Sequence, residues 1–331
     1  MQALVWQGGS LVETVDVATP CPPAGWALVQ PAFVGICGTD LHICAGEHPR
    51  AKPSLVLGHE FVGWVVEGGG DAPPGAAVFV NPLLPCGDCS ACAAGRPNTC
   101  ERLGFLGIDR AGGAAELAAV PADSMTPLPA GLALERAALV EPVAVAAHAV
   151  RRGAVVPGDA VHVLGAGPVG LLVAWLARLR GAAQVSVSDP APERAGHAHR
   201  LGFDVVAAAT TEPKARVVFD CTGHASVAPT VTRCAAAGGV VVTVGAYPGV
   251  VGVDLQDLMF REITIVGSRA YTTEDISDAI GLLASGSAAP ATVITDVIPL
   301  DNGAEAIRRL RRGSGLKVLL QVPRSRADKG L

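Results

Sequence analysis

Aromatic side chains are scarce in this 331-residue chain, at 4% of residues, and charged ones make up only 17%. The first shortage predicts an aliphatic core. The second, with Lys+Arg 25 against Asp+Glu 30, a net charge of −5 and no block of five like charges, speaks against a grip on nucleic acid or anionic lipid. Uninterrupted apolar runs are also missing. The most apolar window, residues 161–179, is broken by Gly165, Gly167, Pro168 and Gly170 and carries Arg178, so it falls short of a membrane span. The opening MQALVWQGGSLVETV has neither the cationic lead nor the apolar stretch of a secretory signal, which places the expected protein in the cytoplasm. By contrast, hydrophobic residues reach 50%, which excludes a disordered chain. Gly 40 and Pro 25 supply abundant turn residues, and the length suits about two domains.

The text of the chain changes style partway along. Up to about Val145 it consists of short β-rich pieces such as ALVW, WALVQPAFVGIC, FVGWVVE and AAVFVN, separated by Pro and Gly. From Asp159 to Arg269 strands alternate with helical stretches: VHVLG, Pro168 to Arg180, VSVSD, Pro192 to Leu201, then VVFDCTG, GGVVVTVG and ITIVGS. Alternation of this kind predicts βαβ units on a parallel sheet, an α/β fold. Two helical candidates, TEDISDAIGLLASG and NGAEAIRRLRRG, and a closing strand KVLLQV follow.

Nine cysteines are present, unevenly spread. Cys86, Cys89, Cys92 and Cys100 sit within one loop, separated by small residues such as Gly87, Ser90 and Ala91 that let the backbone wrap tightly. Four thiolates around a tetrahedral cation make the closed, structural kind of zinc site. The alternatives are loop thiols that bind nothing and a zinc ribbon on nucleic acid; the latter is poorly served, since only Arg96 and Arg102 lie nearby. A second set is dispersed: Cys37 in CGTDLH and His59-Glu60 in GHE. One thiolate, one imidazole and acidic oxygens leave a coordination position open, the catalytic pattern. Each piece alone reads as an ordinary core cysteine or a satisfied polar pair.

Gly165-Ala-Gly167-Pro168-Val169-Gly170 places G-x-G-x-x-G directly between an apolar strand and a helix. Gly165 permits the tight turn, Gly167 the approach of a pyrophosphate and Gly170 close helix packing. Pro168 forfeits only an N–H without an intrahelical partner. The next strand ends in Asp189, where a carboxylate accepts hydrogen bonds from ribose hydroxyls and repels a 2′-phosphate, favouring NAD over NADP. Arg194, five residues on, is the counter-argument. Thr222, Gly245 and Arg269 stand at the ends of later strands, on the ligand-binding side of such a sheet. A doubly wound domain without cofactor would leave the placement of Asp189 to chance.

In order and spacing these motifs resemble the zinc-dependent medium-chain dehydrogenase/reductase family, over essentially the whole chain, and most closely its sorbitol and L-threonine dehydrogenase branch, because Glu141 in LVEPVAVAAHAV stands where typical alcohol dehydrogenases carry a cysteine. The resemblance implies a Rossmann doubly wound sheet at 146–270 and a GroES-like irregular β-barrel at 1–145, with the structural zinc loop at 85–101 and a return to the catalytic domain at 271–331. It implies two zinc ions per chain: a structural one on the four clustered cysteines, and a catalytic one on Cys37 and His59 with Glu60, Glu141 or both. It further implies that the Thr39 hydroxyl contacts the substrate oxygen, that protons leave through His42, and that the product is the ketone of a polyol, cyclitol, sugar-derived or amino alcohol. His48 and Arg50 lie near enough in sequence to meet a polar or anionic substrate. Family members are homodimers or homotetramers, and the strand around residues 263–268 is the segment expected to pair. Two other readings remain open: a zinc-free quinone or enoyl reductase on the same scaffold, which the complete ligand sets oppose, and a non-catalytic NAD(H)-binding protein.

Overall fold

In the computed structural model the described residues are 1–68, 70–207, 214–247, 249–287 and 289–324. Contacts divide the chain into two units, Met1–Glu141 with Ile280–Leu331, and Pro142–Ala279. The sequence reading puts the same passages at 145/146 and 270/271; in the structure they fall inside helices α4 (Val140–Arg152) and α9 (Thr273–Ala284).

The first unit is built on short strands. A small sheet joins β1 (Gln2–Gly8), β2 (Leu11–Asp16) and β4 (Leu55–Val56). The main sheet contains β3 (Trp26–Gly35), β5 (Glu60–Glu67), β6 (Ala77–Val80), β10 (Met125–Pro127), β17 (Ile294–Pro299) and β18 (Lys317–Gln321) in the order β10-β6-β5-β3-β18-β17, with β9 (Ala118–Pro121) also on β3. Pro31 inside the central strand cannot donate to a ladder. The register with β5 shifts between Pro31 and Phe33, and the facing residue is Gly63, whose missing Cβ leaves room for the Gln30 carbonyl. Val29, Val34, Phe61, Val78 and Val80 from these strands are buried with Leu4, Ile43 and Leu57 in one aliphatic cluster. Burying each large side chain contributes roughly 1.5–3 kcal/mol. A minor hairpin, β7 (Leu83–Leu84) with β8 (Gly104–Phe105), brackets the cysteine loop. Helices here are short: α1 (Gly38–Cys44), α2 (Ser90–Ala93), α3 (Leu134–Ala137) and α10 (Gly303–Arg311).

The second unit is a six-stranded, wholly parallel sheet of β11 (Ala160–Leu164), β12 (Gln184–Ser188), β13 (Asp204–Val205), β14 (Ala215–Asp220), β15 (Ala235–Thr243) and β16 (Thr264–Gly267). Its order, β13-β12-β11-β14-β15-β16, runs 3-2-1-4-5-6 within the unit, the doubly wound dinucleotide-binding order. Both faces of a parallel sheet are covered, so its strands read as near-continuous apolar runs; Val161, Val163, Val217, Val218, Phe219, Val241 and Val242 are buried accordingly. Helices α4, α5 (Pro168–Leu179), α6 (Pro192–Arg200), α7 (Val231–Cys234), α8 (Leu255–Phe260) and most of α9 belong to this unit. No helix among the described residues is long and apolar enough to cross a membrane.

Candidate active site and metal centres

Strand β3 runs out at Gly35, and the chain passes through Ile36 into α1, whose N-cap is Cys37. The Asp40 carboxylate accepts the Cys37 N–H at 2.8 Å, fixing that entry. Gly35 pairs with Glu60 at the start of β5, so the strand register carries His59 and Glu60 up to Cys37. One ligand atom from each of Cys37, His59 and Glu60 lies within 4.8 Å of the other two. His59, Glu60 and Asp40 are all buried, and His59 Nδ1 lies 3.7 Å from Asp40 Oδ1. Against the downward pull of burial, the charges of Asp40 and Cys37 hold the His59 imidazole well above its ordinary pKa. The same anionic neighbours would favour a divalent cation, which takes the imidazole in its neutral form.

One cation is already there, and the sequence reading missed it. Lys317, first residue of β18 and 2% exposed, donates to both Glu60 oxygens at 2.8 and 2.7 Å and to the Ile36 carbonyl at 3.1 Å. Burial alone would lower its pKa, but Glu60, Cys37 and Glu141 hold the ammonium above its usual value. The missing Cβ of Gly35 makes room for the Glu60 carboxylate. The only sequence signal was a lysine heading an otherwise apolar strand, KVLLQV. Glu141, also buried, lies in the first turn of α4 and is not a member of the three-residue set.

Thr39 occupies the second position of α1, its hydroxyl 3.8 Å from the Cys37 sulfur. His42 lies on the last turn, exposed, with Nδ1 2.9 Å from Glu47. His48 Nδ1 accepts the N–H groups of Arg50 and Ala51. Arg50 donates to the Leu103 carbonyl at 2.7 Å and lies 3.2 Å from Asp109, which ties its charge to the neighbouring loop.

The cysteine loop is a separate site. Sulfur pairs are spaced 3.5 Å (Cys89–Cys92), 3.9 Å (Cys89–Cys100) and 3.4 Å (Cys100–Cys86). A zinc–sulfur bond of about 2.3 Å gives a tetrahedron with edges of about 3.8 Å, so the donor set fits zinc. Backbone N–H groups of Cys86 and Arg102 donate to the Cys100 sulfur at 3.3 Å. Backbone donation from Glu101 and Cys92 lowers Cys89 to about 6, and donation from the Cys86 backbone lowers Cys100. The hydrogen bond with Asp88 raises Cys86 to about 12 and burial raises Cys92, so the four thiols divide into two that ionise readily and two that need a metal's charge to do so.

In the second unit Gly165 follows β11 with φ +98, and Gly167 caps α5, in which Pro168 and Val169 are the first residues. A Cβ at Gly170 would collide with the Gly165 carbonyl, whereas one at Gly167 would meet nothing within 4 Å; the first glycine serves packing and the second leaves an open approach for a pyrophosphate at the helix N-terminus. Asp189 Oδ2 accepts the Ala166 N–H at 2.9 Å and Oδ1 that of Ala191 at 2.8 Å, which fixes the carboxylate beside the glycine turn. Arg194 Nε is buried without a hydrogen-bond partner. Thr222 bonds to Asp220, the Gly245 N–H donates to the Asp220 carbonyl, and Arg269 lies just past β16.

These features combine a cysteine, histidine and carboxylate donor set with a dinucleotide-binding strand order. Residues 23–130 match the alcohol dehydrogenase GroES-like domain family and 168–285 the zinc-binding dehydrogenase family. L-Galactonate-5-dehydrogenase of Escherichia coli K12 is 36% identical, the match covering 88% of this chain and 89% of that protein. Among solved structures, a zinc-binding dehydrogenase of Sinorhizobium meliloti 1021 bound to NADP superposes with a TM-score of 0.89 at 34% identity, over 97% of this chain and 98% of that one. The E. coli CFT073 protein rspB, described as a short chain alcohol dehydrogenase and complexed with NADH, gives 0.89 at 28% identity, over 97% and 99%. The chain belongs to the zinc-dependent medium-chain dehydrogenase/reductase superfamily. It is an oxidoreductase acting on CH–OH donors.

Proposed function

We propose that this enzyme oxidises a secondary hydroxyl of a polyhydroxylated, sugar-derived substrate to the ketone, using NAD in preference to NADP, and that it does so in the cytoplasm. The observation that carries the reading is the convergence of Cys37, His59 and Glu60 beside Lys317. Cys37 and His59 hold the catalytic zinc, with Glu141 or Glu60 supplying the carboxylate; Cys86, Cys89, Cys92 and Cys100 hold the structural one. When bound, zinc acts as a Lewis acid that lowers the pKa of a coordinated hydroxyl, and the nicotinamide accepts the hydride. Asp40 fixes the Cys37 backbone and Lys317 fixes Glu60, so the donors are set before substrate arrives. Thr39, beside the Cys37 sulfur, orients the substrate hydroxyl and passes its proton toward His42 at the surface. Gly165, Gly167, Pro168, Val169 and Gly170 cradle the pyrophosphate, Asp189 takes the adenosine ribose, and Arg194, Thr222, Gly245 and Arg269 line the remainder of the dinucleotide site. The sugar-acid class follows the galactonate relative.

A two-fold pair of copies is part of the reading. Strand β16 is the sheet's last strand, and the neighbouring α8 exposes Leu255, Met259 and Phe260 at 70%, 60% and 70%. A second copy of β16 would satisfy the free backbone edge and cover these side chains.

The test is a coupled assay of polyols, aldonates, cyclitols and amino alcohols with NAD and with NADP, on wild type and Cys37→Ser, with zinc counted. Expected are NAD-linked turnover of a sugar-derived secondary alcohol, about two zinc ions per chain, and a loss of at least about 100-fold in the variant. Variant turnover within a few-fold of wild type would overturn the reading.

A further inference from the structure

The second unit holds a buried carboxylate that neither the phosphate-binding turn nor the ribose acid accounts for. Asp220 ends β14 and is 1% exposed. It pairs in register with Leu164, the residue before Gly165, and a Cβ on Gly165 would sit 3.0 Å from the Thr222 methyl. Asp220 therefore abuts the glycine turn. It does so from the side opposite Asp189, because β12 and β14 flank β11 on its two sides. In a doubly wound sheet the two halves of a dinucleotide lie on either side of this switch point. With Asp189 on the adenosine half, Asp220 lies on the nicotinamide half.

Its hydrogen bonds are all donations to it. Thr222 gives its N–H at 3.0 Å and its hydroxyl at 2.6 Å to Oδ1, and the Tyr247 hydroxyl makes a short bond to Oδ2. The loop that carries Tyr247 is packed on the Asp220 turn: Gly223 has φ +60, and a Cβ there would meet the Ala246 carbonyl. Among the described residues the side-chain partners of Asp220 are Thr222 and Tyr247, and it takes part in none of the ion pairs. Burying a carboxylate with hydroxyl and amide partners but no cation is costly, and the oxidised nicotinamide ring is a cation whereas the reduced ring is neutral.

We propose that Asp220, held by Thr222 and Tyr247, is the counter-charge for the oxidised nicotinamide and sets the enzyme's relative affinity for the two redox states of its cofactor. Thr222 and Tyr247 are positioning residues: they fix the carboxylate and spread its charge. The inference rests on the dinucleotide reading. Wild-type enzyme that bound neither NAD nor NADH would overturn that reading, and this one with it.

The experiment is calorimetric titration of the zinc-loaded full chain with NAD and, separately, NADH, for wild type, Asp220→Asn and Tyr247→Phe. Asp220→Asn is near-isosteric and removes the charge. The expected result is about tenfold weaker NAD binding with NADH held within about twofold. Tyr247→Phe leaves the carboxylate less screened and is expected to shift the NAD/NADH preference the other way, by about twofold to threefold. A merely structural Asp220 would weaken both forms together and leave their ratio unchanged, and that result overturns the proposal. If Asp220→Asn fails to fold, an unchanged ratio in Tyr247→Phe overturns it alone.

Discussion

Glu60 and Lys317 meet as two buried charges inside an aliphatic unit, and such a pair earns its place by geometry rather than by net stabilisation. Both carboxylate oxygens are engaged by one ammonium, so Glu60, next to His59 and itself a proposed metal ligand, is held in place from the side of β18. Truncating one member strands the other. Lys317→Met is therefore expected to cost about 3–5 kcal/mol, read as a lowered midpoint in denaturant unfolding of the zinc-loaded protein. A double variant, Lys317→Met with Glu60→Gln, should recover part of that loss, because the stranded charge is gone. If the single variant were as stable as wild type, Lys317 would not be the partner that compensates Glu60. Asp40 plays a similar part beside His59. The role of Asp40 as a structural hydrogen-bond partner is legible in the sequence, but the Lys317 pairing is not: Lys317 and Glu60 are 257 residues apart in sequence, and a lone lysine gives no sign of what it faces once the strands are assembled.

The elements that were legible are those whose information is local. The glycine turn between β11 and α5 is announced by three glycines and a proline, and the positive φ of Gly165 and the crowding of Gly170 on the Gly165 carbonyl are set within a few residues. The cysteine loop is announced by four thiols spaced closely enough in sequence to share one ion. For that loop, Cys89→Ser is expected to reduce zinc from about two to about one per chain and to lower thermal stability. Metal analysis beside a melting curve checks it; an unchanged zinc count would show that Cys89 is not a ligand. The dispersed set was harder. Cys37, His59 and Glu60 come together because β3 and β5 pair with Gly35 opposite Glu60, a register that depends on the bulge at Pro31 and so on long-range packing. What drew attention to them was the likeness of CGTDLH and GHE to a known family. Spacing alone had left an ordinary cysteine and a satisfied histidine as good readings. The Asp220–Tyr247 bond was invisible for the same reason, since it joins the ends of two parallel strands.

Taken together, the chain carries a modest net charge of −5 and a sheet with an edge at β16 beside an apolar helix surface. A protein of this kind is expected to run at twice its chain mass in light scattering at micromolar concentration. Phe260→Glu, on the exposed face of α8, should loosen that association. A monomeric wild type would remove the case for pairing along β16.

The first unit is closed by its C-terminal portion, since β18 lies against β3 and brings Lys317 to Glu60. A ribosome releases that lysine only after the parallel sheet of the second unit has emerged. Until then the nascent first unit holds Glu60 without its ammonium and lacks one neighbour of its central strand. The proposed metal pocket therefore matures only after the second unit has been made, and a transcript cut short before codon 317 is expected to yield a polypeptide that carries the whole parallel sheet but leaves Glu60 without its buried ammonium.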